Sequence, residues 1–139
     1  MSKKIDKIRE FFQKQSDECR TIMNELEDRR KNVSFAYWAS WNAMEYVNAE
    51  MTAILFETLQ GSLLKLEEGG KTDEEIVKWV EECRDQMVED VLKARKRTST
   101  NQLDNLIEAE KMDVYRKVAG CGLFDSGSLA YLLMDLKRI

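Results

Sequence analysis

Hydrophobic residues crowd the stretch from Val33 to Leu66, VSFAYWASWNAMEYVNAEMTAILFETLQGSLLKL, and no proline interrupts it. At 100° per residue, Trp38, Trp41, Phe56, Leu59 and Leu63 fall on one side of an axis. Ala36, Val47 and Ile54 fall on a second side, and Met44, Met51 and Leu55 on a third. A helix that is apolar nearly all round is one that its neighbours wrap. Strands of ordinary length, roughly five or six residues, need frequent breaks, and none comes before Gly69-Gly70. At 1.5 Å per residue the helix is roughly 50 Å long. Glu45, Glu50 and Glu57 interrupt the run, so no uncharged stretch of about 18 residues is left to cross a membrane. The expectation is a single rod whose whole circumference is hidden, by sister helices or by a second copy.

The flanking pattern predicts four more helices. The first runs from Lys3 to Arg30, with Ile5, Ile8, Phe12, Cys19, Ile22 and Leu26 at alternating three- and four-residue steps and Gln15 in the same stripe. So narrow a seam packs on one or two helices, or on its own copy, where Gln15 fixes the register. Ile5, Ile8, Phe12, Gln15, Trp38 and Trp41 are therefore the expected oligomer or partner interface. The plainer alternative makes the stripe part of the core. Asn32 in a left-handed conformation and Ser34 as a cap separate the first two helices. With no Gly or Pro there, one continuous helix from Lys3 to Leu66 stays open.

Gly69-Gly70 ends the second helix, and Thr72 with Glu75 forms a capping box for a third, Asp73 to Arg97. Its Ile76, Val80, Cys83, Met87 and Val91 point inward, flanked by Trp79 and Val88, with Lys78, Glu82, Asp85 and Glu89 opposite. A fourth helix, Gln102 to Ala119, turns Leu103, Leu106, Ile107, Val114 and Val118 inward. Gly120-Cys121-Gly122 stops it. Asp125 or Ser126 caps a short last helix carrying Leu129, Leu132, Leu133, Leu136 and Ile139. The predicted fold is all-α: a five-helix bundle in one domain, residues 1–139, with a long central apolar helix over about residues 33–67, self-associating as a homodimer.

Composition narrows the chemistry. Charged residues make up 35% and hydrophobic ones 43%, the balance of a folded chain rather than a disordered one. Histidine is absent, which excludes Ser-His-Asp and Cys-His nucleophiles, a histidine base, mixed Cys/His zinc sites and Glu-x-x-His di-iron sites. The net charge of −4 does not favour general polyanion binding. Cys19, Cys83 and Cys121 form no C-x-x-C pair. Their odd number, and an N-terminus of MSKKIDKIREFF without a signal-length apolar core, point to the cytoplasm.

Three candidate features remain. Lys93, Arg95, Lys96 and Arg97 are suited to nucleic acid or an acidic partner. The alternative is dipole complementation, since basic clusters close the first, third, fourth and last helices and acids such as Asp73-Glu74-Glu75, Asp104 and Asp125 stand at helix starts. Glu45 projects beside Trp38, Trp41, Phe56 and Leu63; a carboxylate there pairs, protonates or lines a ligand cavity, and a buried ion pair is the favoured reading. Glu110 poses the same question in helix four. Glu25-x-x-Asp28 and Glu82-x-x-Asp85 loosely match the magnesium-binding spacing of all-α nucleotide pyrophosphatases, but Glu82 and Asp85 project toward solvent, and the chain is not assigned to them. The cysteines lack nearby bases.

The favoured reading is a non-enzymatic cytoplasmic protein-interaction module, a regulator, adaptor or inhibitor, compatible with a viral or mobile-element accessory protein. It needs no cofactor or metal. The alternatives are a nucleic-acid-associated factor using residues 93–97 and a magnesium-dependent pyrophosphatase.

Overall fold

A computed structural model of the chain describes residues 2–94, 101–121 and 127–139. Among these residues the chain forms five α-helices and no strand: α1 (Lys3–Arg29), α2 (Phe35–Glu68), α3 (Asp73–Ala94), α4 (Gln102–Ala119) and α5 (Leu129–Leu136). The all-α expectation is met, and α2 and α4 begin within two residues of their predicted starts.

Local chemistry sets the helix ends. Ser2, Ser34, Asn101 and Ser128 each accept a backbone N–H from the first turn of the helix they precede. Each satisfies a donor that the helix itself leaves without a partner. Thr72 and Glu75 form the predicted reciprocal box: Glu75 N donates to Thr72 Oγ1 at 3.2 Å, and Thr72 N to Glu75 Oε1 at 3.3 Å. α1 and α2 are not continuous. A 3-10 turn over Arg30–Asn32 separates them, and Asn32 is not left-handed, since among the described residues only Gly70 and Gly120 have positive φ. The last helix is capped by Ser128; the expected caps Asp125 and Ser126 lie outside the described residues.

α1 and α2 form an antiparallel hairpin. Arg20 holds Glu57 through two hydrogen bonds of 2.8 and 2.9 Å, Gln60 donates to Gln13, and Arg9 pairs with Glu67. Only one end of this hairpin enters the main core. There Ile8 and Phe12 of α1 meet Phe56, Leu59 and Leu63 of α2, with Ile76 and Val80 of α3, Val114 and Val118 of α4, and all of α5's buried leucines. Phe12 packs edge-on to Trp79 and tilted against Phe56, ring centres 6.2 and 6.0 Å apart. α3 turns back along α2 after Gly69-Gly70, and α4 then runs antiparallel to α3, with Arg84 Nε donating to the Ala119 carbonyl at 2.9 Å.

This arrangement corrects the expectation that α2 is hidden all round. Its second half supplies Phe56, Leu59 and Leu63 to the core, while Ile54 and Leu64 on other faces stay 50% and 55% exposed. Its first half is covered along one side by α1, where Trp38, Leu26 and Met23 are buried. The α1 stripe is also shifted. Met23 is buried and Ile22 is exposed. A straight helix drifts about 20° per heptad from a 3.5-residue repeat, so the buried positions move from the predicted Gln15 and Ile22 to Ser16 and Met23.

Candidate functional site

The expected interface residues part company. Ile8 and Phe12 are wholly buried in the chain's own core, Ile5 packs against that core, and Gln15 is half-buried on α1. Trp38 is also internal. Its indole N–H donates to the Leu26 carbonyl at 2.7 Å, and its ring stacks near Phe35 and Tyr46, centres 5.9 Å away in each case. Ile5, Ile8, Phe12 and Trp38 are therefore used by the fold. Trp41 is the exception, at 75% exposure.

Glu45, expected to be buried, is exposed. The reason is that a position projecting beside Trp38 on the wheel needs further cover to be buried, and the α1 contact that buries Trp38 leaves Glu45 in solvent. Glu110 is half-buried as expected, but its partner is an amide. Asn48 Nδ2 donates to Glu110 Oε1 at 2.7 Å, the short distance of a charge-assisted bond. Of the basic cluster, Lys93 pairs with Glu89 at 2.8 Å; Arg95, Lys96 and Arg97 lie outside the described residues. Glu25, Asp28, Glu82 and Asp85 are all exposed. Among the described residues no three His, Cys, Asp or Glu side chains stand close enough to hold a metal ion. Nor is any helix there long and apolar enough to cross a membrane.

The Asn48–Glu110 bond fixes how α2 and α4 face each other. Further along, Leu55 and Leu59 of α2 share a groove with Tyr115 of α4, so the two helices run in the same direction. Counting back from Asn48 by four, seven and eleven residues gives Met44, Trp41 and Tyr37, all on the Asn48 face of α2. Counting back from Glu110 by three, four and seven gives Ile107, Leu106 and Leu103, all on the Glu110 face of α4. Two apolar faces thus lead up to the hydrogen-bonded pair. They are not covered: Leu103 is 63% exposed, and the first eight residues of α4 are exposed throughout. Leu103, Leu106 and Ile107, predicted to point inward, are corrected here. They are exposed instead.

Tyr37, Trp41 and Met44 on the Asn48 face of α2, and Leu103, Leu106 and Ile107 on the Glu110 face of α4, are thus all left exposed on the stretches that precede the hydrogen-bonded pair. Glu45 and Glu50 on α2 and Asp104 and Glu108 on α4 are exposed as well. Sequence reasoning turned Leu103, Leu106 and Ile107 inward, placed Met44 on a hidden side of α2 and assigned Trp41 to an interface; it did not single out Tyr37.

No protein-family model, curated protein or solved structure matches the chain significantly.

Proposed function

We propose that the protein is a non-enzymatic interaction module, a regulator, adaptor or inhibitor, that acts by docking a protein surface onto the exposed apolar side chains of the first halves of α2 and α4. The observation that carries this reading is the exposure of Trp41 on α2 together with Leu103, Leu106 and Ile107 on α4. Large aromatic and aliphatic side chains in water cost free energy of about 25 cal/mol per Å² of apolar surface that a partner could cover. Trp, with a broad apolar face and little rotamer freedom to lose, is the residue type most often central to protein contacts. The three cysteines are free thiols, as the reducing cytoplasm keeps them, and this supports action in that compartment.

The test is affinity capture with the tagged full chain from a lysate of cells that carry the gene, beside Trp41→Glu and Leu106→Glu baits. Both sites are exposed, so the variants keep their fold, which circular dichroism verifies. Proteins held by the wild type and lost from both variants support the reading. A captured set unchanged by both substitutions overturns it.

A further inference from the structure

We infer that the partner docked on the first halves of α2 and α4 is a cationic segment of another protein, one that sets Arg or Lys beside apolar side chains; this rests on the reading of that surface as the place of docking. The observation that selects such a partner is charge. No Lys or Arg lies between Asn32 and Leu64, or between Asn101 and Glu110. The exposed apolar side chains of these stretches, Trp41 and Leu106 among them, are therefore accompanied by acids alone.

Those acids are uncompensated. Elsewhere in the chain carboxylates are matched by cations, Glu57 by Arg20, Glu67 by Arg9 and Asp135 by Lys7. Among the described residues Glu45, Asp104 and Glu108 have no such match. Glu110 is half-buried and accepts from the Asn48 amide, with no cation beside it. Glu45 stands one turn from Trp41 on α2, and Glu110 one turn from Leu106 on α4. The cations nearest in sequence are engaged within the chain. Arg29 donates to Asn42, Arg30 lies over Phe35, Lys31 pairs with Asp28, and Lys111 lies over the Tyr115 ring.

Unpaired charges of one sign raise the local potential and steer an opposite partner toward it. They repel nucleic acid and acidic surfaces, and they oppose a second copy of the same face. Arg and Lys suit both halves of this surface. Their apolar stems cover Trp41 and Leu106 while their heads reach the carboxylates. A cation brought to Glu110 makes a charge-assisted bond to an acid already half-withdrawn from water. One placed over the exposed Trp41 ring is held by its π face as well.

Fluorescence anisotropy with the full chain tests this. The probes are two labelled peptides of roughly 18 residues with leucine at helical spacing, one filled with lysine and one with glutamate. The lysine peptide is expected to bind at least about tenfold more tightly than the glutamate one, and less tightly as salt rises. Trp41→Ala weakens its binding by roughly tenfold and Glu110→Gln several-fold. The amide in Glu110→Gln still accepts from Asn48, and circular dichroism verifies that the helices are kept. Glu81→Gln, which removes an exposed acid of α3, leaves binding unchanged.

Equal binding of the two peptides overturns the inference. So does lysine-peptide binding that survives both Trp41→Ala and Glu110→Gln, since the contact then lies elsewhere. A dimer in light scattering that Trp41→Ala dissociates gives the surface to a second copy and overturns it too. If the lysine peptide fails to bind while capture from lysate still depends on Trp41, the surface takes a partner of other chemistry and only the present inference falls. If that capture is absent as well, both readings fall.

Discussion

Trp38 Nε1 donates to the carbonyl oxygen of Leu26 at 2.7 Å, and both groups are buried. The bond answers a need created by the end of α1. In an uninterrupted helix the Arg30 N–H would bond the Leu26 carbonyl; here it turns to the carbonyls of Glu27 and Asp28 as the chain tightens into the 3-10 turn. The indole takes its place. Around it Phe35 and Tyr46 close the ring cluster, and Arg30 lies over Phe35 at 4.9 Å. Trp38→Phe keeps most of the packing and removes the donor. It is expected to destabilise the chain by about 1–3 kcal/mol, the cost of a stranded buried carbonyl. Urea unfolding checks this: the midpoint falls and the slope stays constant.

Gly120 ends α4 with φ +82°. A Cβ there would lie 2.7 Å from Ala130 Cβ and 2.8 Å from Ser128 Oγ, against the start of α5. Gly120→Ala therefore meets both left-handed strain and overpacking, together about 2 kcal/mol or more. The expected result is a thermal midpoint lowered by several degrees. An unchanged midpoint would show that α5 is free to move away from this glycine.

Glu75 gives a pH signature. The Thr72 backbone N–H, and then its hydroxyl, stabilise the carboxylate and hold its pKa below the usual 4.5. A folded pKa below the unfolded one means stabilisation that is full above the unfolded value and lost as pH falls through the folded one. Glu75→Gln retains an acceptor but not the charge. The wild type should melt higher than this variant at pH 7, with the gap closing below about pH 4. Calorimetry at pH 7 and pH 3 decides it; a gap of equal size at both would assign the effect to geometry alone.

The thiols should separate by burial. Burial raises the pKa of Cys19 and of Cys83, which depresses their thiolate fraction. Cys121 is exposed at the end of α4. A maleimide at neutral pH should label one site quickly, identified by mass spectrometry as Cys121, and the other two only on unfolding. Equal rates at all three would contradict the packing of α1 and α3.

These expectations also mark what a sequence can and cannot convey. Helix ends were legible because their signals are local: Ser34, the Thr72–Glu75 box and Gly120 each act on a backbone group within a few residues. The inward stripe of α3 was legible because one face is apolar and the opposite one charged. α2 was not, because a helix apolar on three sides does not say which sides are covered. Trp41, Met44, Leu103 and Leu106 have the same hydrophobicity whether they meet a core or water. Their fate depends on which neighbouring elements cover them, a tertiary fact. Glu45 failed for the same reason: its burial was inferred from neighbours on a wheel, and that half of the wheel faces water.

The sharpest test of this division compares two aromatic residues that sequence reasoning placed in one interface. Phe12 is 1% exposed and central to the core. Phe12→Ala removes its apolar burial and leaves a cavity, so a loss of about 3–5 kcal/mol is expected. Trp41 touches little within its own chain. Trp41→Ala should fall within about ±0.5 kcal/mol of the wild type, as for other surface substitutions. Urea unfolding of both variants beside the wild type checks this: the Phe12→Ala midpoint drops and the Trp41→Ala midpoint stays in place. A Trp41→Ala deficit as large as that of Phe12→Ala would mean that this indole stabilises the chain's own fold.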